Sequence, residues 1–281
     1  MSKGRIIFFV LLFSCVFIAA AFSFISPNSS KLEDAEKSSV LEMMWEDDFK
    51  GEVIDSTKWS YDLGDGCPKL CGWGNNELQS YTKANAFTEN GTLIIEARKE
   101  KTDSRDYTSS RLISKFKGDW KYGRVEARMK LPSGRGTWPA FWMLSTDWNY
   151  GGWPESGEID IMEHVGYAPD SLFGTVHTEK YNHLLGTQVG EGIRVENMES
   201  DWHTYAIEWQ EDHIDFYCDD QLYFTFNNDG SGQKAWPFDQ RFHIITNLAV
   251  GGNWGGKHGV DDTIWPKRLE IDYVRVYKLV Q

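Results

Sequence analysis

The chain has 281 residues, a formal net charge of −13, 41% apolar and 15% aromatic residues, 13 tryptophans and 4 cysteines. The acidic balance argues against nucleic acid as a partner, because such binding is built on cationic contacts to phosphate. Only three cysteines follow the first 25 residues, so at least one has no partner and the fold cannot rest on a disulfide framework.

Lys3 and Arg5 precede an apolar run from Ile6 to Ile25 that contains the small residues Ala19, Ala20 and Ala21. Residues 1–25 read as a secretory signal peptide. A run of roughly twenty residues is also long enough to span a bilayer as an uncleaved signal anchor. In either case the basic residues in front put the rest of the chain outside the cytoplasm. The expected location is therefore extracellular or periplasmic, free or tethered to the membrane by this segment. Residues 26–42 mix Ser, Lys, Glu, Asn and Pro and read as a disordered tether. No linker divides residues 43–281, which are expected to form one domain and a monomer.

Cys67 and Cys71 stand close together in a Gly-rich loop and are placed to form a small disulfide in an oxidising compartment; a metal site there lacks a second pair of ligands. From Arg124 to Leu131 the chain alternates without a break, with Val125, Ala127, Met129 and Leu131 on one face and Arg124, Glu126, Arg128 and Lys130 on the other. Three further alternating runs, Tyr205–Trp209, Ile214–Cys218 and Leu222–Phe226, are separated by Glu211-Asp212 and Asp219-Asp220, which predicts an antiparallel meander. Cys218 falls on the apolar face of its strand and is expected to be a buried free thiol. Ile244 to Val250 and Leu269 to Val276 are further strands. No helical period lasts more than a turn or two, so the expected architecture is all-β, two packed antiparallel sheets.

Between these strands lies the stretch GGWPESGEIDIMEHVG, Gly151 to Gly166. A strand points alternate side chains to opposite faces, so Glu158 and Asp160 share one face while Ile159 and Ile161 pack behind. Glu163 breaks the parity. A β-bulge near Ile161 and Met162 would return it to the carboxylate face. Three acids side by side raise one another's pKa, and glycosidic bond cleavage needs such a set, one carboxyl ionised and one protonated. HExxH, GxSxG, GxGxxG and a Walker loop are all absent, which removes the zinc protease, serine hydrolase and nucleotide-binding readings.

GEIDIME preceded by WP closely resembles the active-site signature of glycoside hydrolase family 16 in its laminarinase-like form. The resemblance continues through WGNNELQSYT (Trp73 to Thr82), NGTLIIEAR (Asn90 to Arg98), YTSSRL (Tyr107 to Leu112), YGRVEARMKLPSGRGTWPAFWML (Tyr122 to Leu144), NLAVGGNWGG (Asn247 to Gly256) and IDYVRVY (Ile271 to Tyr277). It implies a β-jelly-roll with a concave substrate cleft and a retaining endo-hydrolase of β-glucans, here of the β-1,3-linked laminarin type and extending to mixed-linkage glucan. Glu158 would be the nucleophile, Glu163 the acid/base and Asp160 the neighbour that tunes them. Trp138, Trp142, Trp153 and Trp254 would offer flat faces to the sugar, with Asn75, Arg111, His177 and Asn247 meeting its hydroxyls. Catalysis needs no cofactor, but relatives hold a structural calcium through positions that are here Asp48, the Gly91 carbonyl and Asp272. Two other readings share this scaffold: a galactan-cleaving hydrolase of the agarase or carrageenase kind, and a non-catalytic β-glucan-recognition protein. The latter typically lacks one or both catalytic glutamates, and this chain keeps them.

Overall fold

The computed structural model describes residues 40–280, so the N-terminal apolar run and most of the tether lie outside the described residues. Strand follows strand throughout. Among the described residues the only helical pieces are the 3-10 turns Cys71–Gly74 and Lys83–Asn85, and no helix is long and apolar enough to cross a membrane.

Two eight-stranded sheets stack face to face. The outer sheet runs, in spatial order, Gln221–Asn227, His213–Cys218, His203–Trp209, Gly123–Lys130, Lys267–Val280, Thr92–Ala97 and Ala86–Glu89, with Val40–Asp47 paired to the far half of Lys267–Val280. The cleft-bearing sheet runs Val189–Arg194, Ser171–His177, Glu158–Glu163, Thr137–Ser145, Phe242–Val250, Arg111–Ile113 and Ser60–Tyr61, with Asp119–Trp120 also on Phe242–Val250. All pairings within both are antiparallel. This is the jelly-roll sandwich that the alternating runs and the family resemblance led us to expect. A small parallel pair, Gln79–Tyr81 with Tyr107–Ser109, was not expected. The first strand begins at Val40, pairing with Val280, so residues 40–42 of the expected tether belong to the outer sheet. Their composition is that of a tether; the ladder to the chain's last residues makes them a strand.

The alternation predicts the core well. Val125, Ala127 and Met129 are fully buried between the sheets, and Tyr205, Ile207, Trp209, Ile214 and Phe216 of the meander join them. The opposite face of Gly123–Lys130 is not simply solvated. Arg124 is buried there and pairs with Glu126 of its own strand (2.8 Å), Glu208 of the neighbouring strand (3.2 Å) and Asp220 of the hairpin turn (2.6 Å). Asp219 and Asp220 both take positive φ, 49° and 62°, the geometry of a tight hairpin turn that Asp tolerates better than branched residues. Cys67 and Cys71 form the expected disulfide. Cys218 is a buried free thiol, which burial and the nearby Asp219 push up to about 12.

Phe242–Val250 is buried along its whole length, on both faces, because the core covers one side and the cleft residues cover the other. That is why polar Asn247 and His243 can stand in the middle of an otherwise apolar strand.

Candidate active site

The register of the cleft-bearing sheet arranges the site in rows. Arg111, Asn247, Ala140, Glu163, Phe173 and Gly192 are cross-strand neighbours in one row. Trp142, Asp160, Thr175 and Gly190 form the next, and Leu144, Glu158 and His177 the third. Between Asp160 and Glu163 the pairing slips on both sides: Trp142 faces Asp160 and Phe141 faces Met162, so Ile161 is the extra residue. Ile161 and Met162 are both fully buried in the core. The bulge expected from the sequence is present, and it brings Glu158, Asp160 and Glu163 onto one face, lining a cleft of about 650 Å³.

Asp160 is the most enclosed of the three acids, at 3% exposure, with Glu158 and Glu163 partly open to the cleft. Burial raises the pKa of all three. For Glu158 the charge of Asp160 adds to burial while His177 opposes it; for Asp160 the charge of Glu163 adds to burial. In Glu163, burial is opposed by His177 and by the Trp138 indole, whose Nε1 donates to Oε1 at 3.0 Å. His177 Nε2 lies 3.3 Å from Asp160 Oδ2 and 3.9 Å from Glu158 Oε1. Carboxyls side by side oppose one another's ionisation. Burial and the charge of Asp160 raise Glu158 well above the usual carboxylate range, against which His177 and the Trp153 indole favour its charged form. Asp160 is raised by burial and by the charge of Glu163, while its contact with Glu158 favours the charged form.

Of the eight residues expected to meet substrate, Asn75, Arg111, Trp138, Trp142, His177, Asn247 and Trp254 all line the cleft. The Arg111 guanidinium is held between the faces of Trp73 and Trp142, 4.8 Å from each ring centre, and pairs with Asp62 at 3.0 Å. Trp142 Nε1 donates to Asn247 Oδ1 at 2.8 Å, and the Trp254 ring meets Trp138 (5.7 Å) and Phe173 (5.0 Å) edge-on. Trp153, the eighth, stands beside them: its ring is 4.9 Å from that of His183 and 6.0 Å from that of His177, both lining the cleft, and its indole meets Glu158.

Several lining residues escaped sequence reasoning. Phe173 is paired with Glu163 and was findable from the alternation of Ser171–His177. Glu77, buried and accepting from Gln79 (2.5 Å) and Tyr81 (3.1 Å), sits inside a block quoted above, yet nothing local distinguishes it; burial raises its pKa. His183 and Gln188 come from a loop without periodicity. Glycines at 190 and 192 are required by close packing, since a Cβ at Gly192 would lie 2.7 Å from the Phe173 ring.

The expected calcium ligands lie away from this cleft. Asp48 is 2.6 Å from Lys50 Nζ, Asp272 is 2.7 Å from Arg128, and a Cβ on Gly91 would come 3.8 Å from the Lys50 side chain. An all-oxygen donor set suits calcium. Both acids already face a cation, and the largely exposed Lys50 is the one that would swing aside for a metal.

Residues 74–275 match the family described as Glycosyl hydrolases family 16. A beta-glucanase of Rhodothermus marinus is 51% identical over 258 residues, covering 88% of this chain and 88% of its own length. The X-ray structure of the laminarinase from Rhodothermus marinus superposes with a TM-score of 0.83 at 50% identity, covering 87% of this chain and 100% of that one. The crystal structure of laminarinase from Flavobacterium sp. UMI-01 gives 0.79 at 45% identity, covering 84% and 100%.

Proposed function

The chain belongs to glycosyl hydrolases family 16, and on that premise we propose that it is an exported, retaining endo-β-1,3-glucanase acting on laminarin-type glucan and also on mixed-linkage glucan. The observation that carries this reading is the bulge at Ile161, which puts Glu158, Asp160 and Glu163 on one wall of a cleft faced by indoles.

In the first step a Glu158 carboxylate oxygen attacks the anomeric carbon while Glu163 gives its proton to the departing glycosidic oxygen. Burial supports that role by raising the Glu163 pKa above its ordinary value and so favouring the protonated acid. In the second step Glu163, now ionised and accepting from Trp138 Nε1, takes a proton from water as the water oxygen displaces Glu158. Asp160, between them on the strand and 3.3 Å from His177 Nε2, tunes their charges. Trp138, Trp142 and Trp254 offer flat apolar faces, and Arg111 and Asn247 offer polar partners to equatorial hydroxyls. A neutral polysaccharide suits the net charge of −13. The Cys67–Cys71 disulfide and the N-terminal apolar run support export. If the Asp48, Gly91 and Asp272 oxygens hold calcium, the ion would tie the first strand to the last; it takes no part in the chemistry.

Product analysis on laminarin, mixed-linkage glucan and agarose tests the substrate, with viscosity expected to fall faster than reducing ends accumulate on the first two. The anomer released early, read by NMR, tests the mechanism. Net inversion would overturn the roles of Glu158 and Glu163, and depolymerisation of agarose alone would overturn the substrate.

A further inference from the structure

A group of metal-competent side chains lies on the outer sheet, at the end of the meander and apart from the cleft. His203 opens its strand, Cys218 closes the next, and Asp219 begins the hairpin turn after it. A ring nitrogen of His203, the Cys218 sulfur and a carboxylate oxygen of Asp219 all lie within 4.8 Å of one another.

The turn is fixed in place rather than loose. Asp219 N–H donates to Thr204 O at 2.8 Å, Thr204 N–H donates to Asp219 Oδ1 at 2.9 Å, and Asp219 Oδ2 meets His203 Nδ1 at 2.6 Å. These bonds hold Asp219 at a positive φ that a non-glycine residue otherwise avoids. Beneath them the polar groups are not satisfied. Among the described residues His203 Nε2 and the hydroxyl of Tyr205 are buried with no hydrogen-bond partner. Tyr205 is fully buried and stands directly across from Cys218 in the ladder, with its ring 6.5 Å from that of His203. A buried hydroxyl and a buried ring nitrogen without partners cost free energy, and a bound group in this pocket of polar atoms would meet them.

We propose that His203, Cys218 and Asp219 form a zinc site, with the Tyr205 hydroxyl or a water completing it. A thiolate, an imidazole and a carboxylate are the donor types that zinc takes. Three atoms at this spacing leave a point within about 2.8 Å of each, so reaching Zn–N and Zn–S bonds of about 2.0 and 2.3 Å needs shifts under roughly 1 Å. Asp219 is half exposed and gives the ion a way in, while Cys218 and His203 sit behind it. The site clamps the end of the meander from outside, and glycoside cleavage does not depend on it.

The test uses the whole chain, stripped of metal and titrated with cobalt(II). The expected result is one ion per chain with thiolate-to-cobalt charge-transfer absorption, reversed by zinc. That absorption should vanish in Cys218→Ser, and the affinity should fall at least about tenfold in His203→Gln. Zinc should raise the melting temperature of the wild type and not of Cys218→Ser, while laminarin turnover without zinc stays equal in both. Absence of the absorption in a large molar excess of cobalt, or its persistence in Cys218→Ser, would overturn the site. Should Cys218→Ser fail to fold, alkylation of Cys218 in the wild type decides: zinc is expected to slow it at least about tenfold, and an unchanged rate counts against the proposal.

Discussion

Trp138→Phe isolates one hydrogen bond of the site. The indole Nε1 donates to Glu163 Oε1 at 3.0 Å and so favours the ionised carboxylate, while the ring itself faces the cleft beside Trp254. Phenylalanine keeps an apolar face and removes the donor. A hydrogen bond to a charged group is worth about 1.5–3 kcal/mol net. Because Glu163 is partly open to the cleft, the lower end applies, and about 1.4 kcal/mol is one pKa unit. Losing a bond to the ionised form raises the Glu163 pKa further above the carboxylate range where burial already puts it. The alkaline limb of kcat/KM on a soluble laminarin oligosaccharide, which tracks protonated Glu163, should therefore move up by about one pH unit. The acid limb, set by Glu158, should stay. An alkaline limb that stays in place or moves down would refute the assignment of Glu163 as the acid governed by this bond.

Glu163→Ala should still form the glycosyl-enzyme from an activated aryl glycoside and regain turnover with azide, whereas Glu158→Ala should form no covalent intermediate by mass spectrometry. For Asp160, burial raises the folded-state pKa above the unfolded one, so the stability held below about pH 4 is lost as pH rises from there toward the folded value. Asp160→Asn should therefore raise the melting temperature at pH 7 more than at pH 4 while lowering turnover; equal shifts at both would contradict this. Phe173→Ala removes the ring that faces Glu163 and touches Trp254, and should weaken laminarin binding by roughly 1 kcal/mol with little change in kcat on a short activated substrate. Exhaustive chelation should lower the melting temperature if Asp48, Gly91 and Asp272 hold calcium, and an unchanged value argues against that site.

Period-2 alternation made the strands legible, and the parity break at Glu163 made the bulge legible, because five residues cannot return to one face without an insertion. Family resemblance added the cleft residues that composition could not rank. Trp153 shows the limit: it comes from the irregular segment before Glu158, where no periodic pattern places a side chain, and its ring meets His183 and His177 from there. Glu77 shows another, since an acid outside any strand reads as solvated until the fold covers it. Arg124 reads as an exposed charge for the same reason, although Glu208 and Asp220 reach it from a strand and a turn more than eighty residues away.

The last strand, Lys267–Val280, pairs with Gly123–Lys130 on one edge and with Thr92–Ala97 and Val40–Asp47 on the other. It stands inside the outer sheet although it is the last strand in chain order. The outer sheet therefore has no continuous ladder until Lys267–Val280 has met partners that lie far back in the sequence, and such distant contacts make folding slow for the size of the chain. Removing this one strand would part the sheet in two and leave Val40–Asp47 with nothing to pair with, and so would undo the sandwich and not merely fray its end.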